Sequence, residues 1–144
     1  MENKEIPLHT MLYRTHQVWN SSNREKAVVG LSTGQPKVLR YLISHPHSLQ
    51  KDIAINCDIE AATASLIVDR MLKNGLIKNE RVKTDRRARW ISITPKGEEA
   101  YHKWVEYTSE LEKKMLQDFT PEEVENFKDY LLRAYKNITG RTME

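Results

Sequence analysis

The chain has 144 residues, 39% hydrophobic and 30% charged, with five glycines, five prolines and a formal net charge of +3. That is one domain's length with a modest core, and so few glycines and prolines favour helix over a turn-rich β fold. No apolar run is long enough to span a membrane, MENKEIPLHTMLYR does not open like a signal peptide, and one cysteine excludes an internal disulfide and a multi-cysteine zinc site. A cytoplasmic protein is expected.

In chain order, Leu8, Met11, Leu12, Val18 and Trp19 fall at helical spacing, and Arg24 to Val29 can continue that helix to a stop at Gly30. Ser32 with Gln35 three residues on predicts a capping box, then a short helix to about Ser44 with Val38, Leu39, Leu42 and Ile43 inward, ended by Pro46. Ser48 is expected to cap the next helix, which carries Ile53, Ala54 and Cys57. A tight turn at Asp58-Ile59 leads to a longer helix through Asn74, with Ala64, Ile67, Val68 and Met71 inward and Gly75 as its stop. Leu76 and Ile77 open a strand to about Val82; a basic tip follows, and then an alternating strand over Arg89 to Thr94. Thr94 and Pro95 open a long helix with Ala100, Trp104, Tyr107, Leu111 and Met115 on one face. Thr120-Pro121-Glu122-Glu123 is a second capping box, before a last helix bearing Val124, Phe127, Leu131, Ala134, Tyr135 and Ile138.

The charge is unevenly spread. From Arg70 to Trp90 eight cations stand against two anions, whereas from Gly97 to Leu131 four cations stand against ten anions. Such a split predicts one face for a polyanion and another for something else. Helix, tight turn, helix and a basic-tipped hairpin suit B-DNA, because the second helix fits the major groove and a hairpin beside it reaches the backbone or the minor groove.

The stretch DRRARWISITPKG (Asp85–Gly97) resembles the wing signature of the MarR family of bacterial transcriptional regulators: Asp-x-Arg, a strand, then a Leu-Thr-x-x-Gly step into a long helix. Ile93 stands for the leucine, and Thr94 and Gly97 match. LSTGQPKVLRYL (Leu31–Leu42) is similar to that family's Leu-Thr-x-x-Gln-x-x-Val-Leu segment, with Ser32 for threonine. IAINCDIEAATASLIVDRMLKNGLI (Ile53–Ile77) resembles its helix-turn-helix, with Thr63, Ser65, Val68, Asp69, Arg70, Gly75, Leu76 and Ile77 in register. The resemblance implies a mainly α fold with a small antiparallel β wing, a winged helix-turn-helix at residues 32–96. Residues 1–31 and 97–144 would be dimerisation helices. It further implies a homodimer on a pseudo-palindromic operator, a repressor more often than an activator, released by a small, often phenolic, effector.

The resemblance also implies roles for residues. Asp85 would pair with Arg87 and aim its guanidinium at the minor groove, beside Lys83, Arg86 and Arg89; the plain alternative is a solvated hairpin tip. Arginine suits insertion because it is weakly hydrated and keeps its charge. Ala61, Ala62, Thr63 and Ser65 would open the recognition helix, small enough to sit deep in the groove, with hydroxyls for bases or phosphates. Thr63 serves equally as a capping residue. Arg70 and Lys73 would hold phosphates, or else pair with Asp69 or Glu80. Leu66 stands where many relatives carry arginine, so base readout is poorer or is tuned to a thymine methyl, and Glu60 stands where a serine or threonine cap is usual.

Cys57 falls where the family has a buried leucine, and redox-sensing relatives keep their cysteine in the first helix, so a core role is expected. His45 and His47 lack nearby carboxylates or thiols, and no metal is expected. His9, His16 and His102 can converge at a dimer arm. Tyr13, Tyr41, Trp104 and Tyr107 would line an effector pocket, or else belong to the core and the dimer interface. No Gly-rich phosphate loop, nucleophile elbow or catalytic metal cluster is present in the sequence, so neither enzyme chemistry nor a cofactor is expected. The rival reading is a winged-helix interaction module whose basic wing meets an acidic partner, such as the anionic segment of another copy.

Overall fold

The computed structural model describes residues 5–22 and 30–144. Among these residues, six helices and one hairpin follow in the order α1 (Leu8–Ser22), α2 (Gln35–Ser44), α3 (Gln50–Asn56), α4 (Ala61–Lys73), β1 (Ile77–Val82), β2 (Asp85–Ile93), α5 (Pro95–Met115) and α6 (Pro121–Thr139). The architecture is mainly helical with a two-stranded antiparallel sheet, a winged helix-turn-helix with a helix before it and two after.

The core lies within α2, α3, α4 and the base of the hairpin. Leu39, Leu42 and Ile53 are fully buried there, with Met71, Val38, Val68, Leu76, Ile77 and Ile91 around them. The α4 face is the predicted one: Ala64, Ile67, Val68 and Met71 turn inward. Gly75 stops α4 in the left-handed region at φ 71°, its amide donating to Leu72 and that of Leu76 to Met71. These two bonds satisfy the last carbonyls of the helix, and only a residue without a Cβ takes that φ freely.

Several local expectations change. Ile43 is exposed on α2. Only half of the Ser32–Gln35 box forms: the Gln35 side chain accepts the Ser32 amide at 3.1 Å, while the helix starts at a left-handed Gly34 without a side-chain cap. Ser48 caps nothing, because Leu49 is the N-cap of α3. Instead Ser48 exchanges backbone bonds with Ile91 (3.0 and 2.8 Å), adding a third rung beside β2. The Thr120 box is complete. The suggested continuation of the first helix over residues 24–29 lies outside the described residues, and Gly30, with φ 75°, sits in a turn.

One knot joins the lobe to α5. Thr94 caps that helix by accepting the Gly97 amide at 3.1 Å, and its hydroxyl also donates to the Gly75 carbonyl at 2.6 Å. The Thr94 amide donates to Leu76 (3.1 Å), and Lys96 donates to Asn74 (2.7 Å). A Cβ on Gly97 would stand 2.1 Å from the Leu76 carbonyl oxygen.

A second tie runs from the end of α6. Asp58, at φ 53° in the helix-turn-helix turn, accepts the Tyr135 hydroxyl (2.8 and 3.0 Å) and pairs with Arg141, whose guanidinium also reaches the Ile55 carbonyl. Neither α1 nor α6 buries a residue: Leu8, Leu12, Val18, Phe127, Leu131 and Ile138 all stand in solvent.

Candidate nucleic-acid interface

The hairpin register decides what the wing presents. Ile77 pairs with Ile93 and Asn79 with Ile91, so this face of the sheet continues the core. Side chains alternate, so Arg81 and Arg89, two further residues out and directly opposite each other, share that face. Like charges across a ladder destabilise it, so this pair is a standing cost that an anion between them removes.

Beyond Arg81 the ladder slips. Arg81 pairs with Arg89 but Val82 pairs with Asp85, leaving Arg86, Arg87 and Ala88 without partners on a bulge. The strand therefore starts at Asp85 rather than Arg89, and the tip itself shrinks to Lys83-Thr84. The bulge has a local cause: an Asp85 carboxylate oxygen accepts the backbone amide of Arg87 at 2.9 Å, the two-residue turn that aspartate favours. The implied Asp85–Arg87 side-chain pair is not formed; the carboxylate holds the amide instead of the guanidinium.

Lys83, Arg86, Arg87 and Arg89 are exposed and enter no ion pair among the described residues, and the same holds for Arg70 and Lys73 on α4. Glu80, one suggested rival partner, pairs with Lys78 at 3.4 Å instead. On α4, Ala61, Ala62 and Thr63 are exposed, Ser65 is half-buried, and Leu66 is 60% exposed. Thr63 is not the cap, because Glu60 holds that position and makes no side-chain capping bond. Asp69 and Leu72 of α4 share a groove with Arg87 and Arg89 of the wing.

Two residues missed in the sequence belong here. Lys51 of α3 lines the groove between α4 and the wing together with Asp69, Asn79, Arg87 and Arg89. Arg81 joins through its register opposite Arg89. Only strand pairing reveals Arg81; Lys51 had a signal, a cation at the start of the helix that crosses the backbone in helix-turn-helix docking.

Of the residues expected either to line an effector pocket or to belong to the core, Tyr41 and Trp104 pack against the core cluster. Tyr41 stacks on His45 (4.3 Å between centroids), Trp104 lies 6.3 Å from Tyr107, and Tyr13 stands exposed on α1. A cavity of about 590 Å³ lies elsewhere, between α1 and α5, lined by Met11, Arg14, Trp19, Leu111, Lys114 and Met115 among others. Cys57 is buried, and that burial pushes its thiol up to about 11. His45 meets the Glu144 carboxylate at 3.0 Å and His47 meets the Ser92 hydroxyl at 3.2 Å, so the two imidazoles turn to different partners. Among the described residues no three metal-ligating side chains converge.

The MarR family model matches residues 29–88, a segment that runs from before α2 into β2. Among solved structures, the transcriptional regulator PA3341 is similar over 94% of this chain and all of its own, at 26% identity and a TM-score of 0.77. A MarR-family regulator from Silicibacter pomeroyi covers 94% of each chain at 24% identity and 0.77. The PcaV regulator of Streptomyces coelicolor, solved with its natural ligand, covers 90% of this chain and 89% of its own at 19% and 0.73. No curated protein matches the chain.

Proposed function

We propose that this chain, a MarR-family member by the match over residues 29–88 and by its fold, is a repressor that binds a pseudo-palindromic operator as a homodimer. Members of this family are transcriptional regulators and not enzymes. In this reading α4 enters the major groove, led by Ala61, Ala62, Thr63 and Ser65 with Leu66 behind them. The wing reaches the minor groove with Arg86 and Arg87, and Lys83, Arg89, Arg70 and Lys73 hold phosphates. The observation that carries the reading is the arginine bulge, whose cations enter no ion pair among the described residues and one of which, Arg87, lines a groove with Asp69 and Leu72 of α4. A-tract minor grooves attract such arginines, and bonds to phosphates supply affinity through counterion release.

The homodimer rests on α1 and α6, whose apolar side chains find no cover among the described residues. Residues 1–31 and 97–144 would supply that interface around a reading lobe at 32–96. A small aromatic acid would act as effector, and the α1–α5 cavity, apolar with Arg14 and Lys114 in its lining, suits it. The acidic-partner reading is weaker, since four of the ten anions of that segment are engaged within their helices, as Glu99–Lys103, Glu110–Lys113, Glu125–Lys128 and Asp129–Arg133.

The test is fluorescence anisotropy against the DNA upstream of the protein's own gene, with a scrambled duplex as control, across a salt series. Tight binding to the upstream duplex alone is expected. In the Arg86→Ala/Arg87→Ala variant the log–log salt slope should flatten by about 0.9 for each phosphate that an arginine no longer neutralises. Equal binding to both duplexes, or indifference to the double substitution, would overturn the reading.

A further inference from the structure

The outward face of α4 is oddly equipped for reading bases. Between Ala61 and Asp69 there is no asparagine, glutamine, arginine or lysine, so no side chain there can make the bidentate bonds that select guanine or adenine. The first such donor, Arg70, lies four residues beyond Leu66, about 6 Å further along the axis. Glu60, at the N-cap, only accepts, so it cannot meet guanine's acceptor edge. Between them stands Leu66, the single exposed large hydrophobic side chain of α4. It is not spare core: Ala64, Ile67, Val68 and Met71 already face inward and fill the space beneath. Ala62 and Arg70 flank it at four-residue intervals on the same outward stripe, and both are exposed.

A leucine pressed against a guanine or cytosine edge would strand polar groups without partners. Against thymine it meets the one apolar group of the major groove, the C5-methyl. We infer that Leu66 is a specificity-determining residue that packs on a thymine methyl, with Ala62 admitting the helix to that depth, so that each half-site is A·T-rich beneath the recognition helix as well as beneath the wing. This rests on the operator-binding reading above.

The experiment begins with selection of duplexes from a random pool by the full-length protein. The enriched duplex is then resynthesised with deoxyuridine replacing each thymine in turn, which removes only the methyl. Binding is measured for the wild type and for Leu66→Ala, whose folding is verified by circular dichroism and whose assembly is verified by sedimentation. One position per half-site should weaken wild-type binding about four-fold when its methyl is removed, and the same swap should leave Leu66→Ala unmoved. An enriched duplex in which every swap affects both proteins alike would overturn the inference while leaving the operator reading intact. So would a Leu66→Ala protein with altered assembly and unchanged sequence preference, because Leu66 would then join protein to protein. Absence of any enrichment would remove the operator reading itself, and this inference with it.

Discussion

Replacing Gly97 by alanine sets two physical effects of opposite sign against each other. Gly97 is the third residue of α5, in ordinary helical conformation rather than at positive φ. On propensity alone alanine there should stabilise the helix by about 0.5–1 kcal/mol. The packing argues the reverse. The new Cβ would lie 2.1 Å from the Leu76 carbonyl oxygen and 2.8 Å from Cγ1 of Ile93. The obstacle is backbone, and that carbonyl already accepts the Thr94 amide at 3.1 Å, so it cannot retreat without loosening the knot. Overpacking of this kind costs about 1–3 kcal/mol, and a weakened backbone bond adds about 1 kcal/mol. The net expectation is a loss of about 2 kcal/mol. For a chain of this length that lowers Tm by about 6 °C, read by calorimetry at fixed protein concentration because subunit association shifts Tm as well. An unchanged or raised Tm would refute the close-approach argument.

Other expectations follow from the same fold. Leu39→Ala, at a fully buried position, should lose about 2–5 kcal/mol in urea denaturation. Arg81→Ala removes the cross-strand like-charge pair with Arg89, so the free protein should gain about 0.2–1 kcal/mol while duplex affinity falls; a loss of stability would refute the like-charge cost, and an unchanged affinity would refute the anion between the two. The Cys57 thiol should resist alkylation in the native protein at pH 8 and react once the protein is unfolded in urea. Its folded value of about 11 exceeds the usual value of 9.0, so its contribution to stability is complete below pH 9 and is lost as pH rises towards 11; Cys57→Ala should flatten that part of the stability–pH profile. The hydrogen bond from Tyr135 to Asp58 holds its phenol above the ordinary tyrosine range, so in an ultraviolet titration one tyrosine should ionise late, and Asp58→Asn should return it towards the others.

What was legible in the sequence depended on whether burial imposed a period. The inner face of α4 was read residue for residue because a helix sunk in the core repeats its apolar side chains every three or four positions. The caps at Thr94 and Thr120 were legible because each is a local hydrogen-bond pattern. Ser48 misled because a serine ahead of a helix has the same local appearance whether it caps or bridges; its real partner, Ile91, lies far along the chain. The bulge at Arg86–Ala88 hid for a related reason, since register is a property of two strands and an exposed arginine carries no periodic signal. The cavity between α1 and α5 was not legible, because residue type does not say which helix faces which.

The knot at Thr94 has a mechanical consequence. It fastens the last turn of α4 and both strand ends to the first turn of α5 through four short bonds, which makes it a fulcrum rather than a joint. The two arms are unequal: α5 extends 21 residues, about 31 Å, and α4 extends 13 residues, about 20 Å. Rotating the assembly by about 5° would carry the far end of α5 through about 3 Å and the leading turn of α4 through only about 2 Å. Any rotation about this point is therefore geared down towards α4, so a coarse displacement of the long helix arrives there as a finer adjustment.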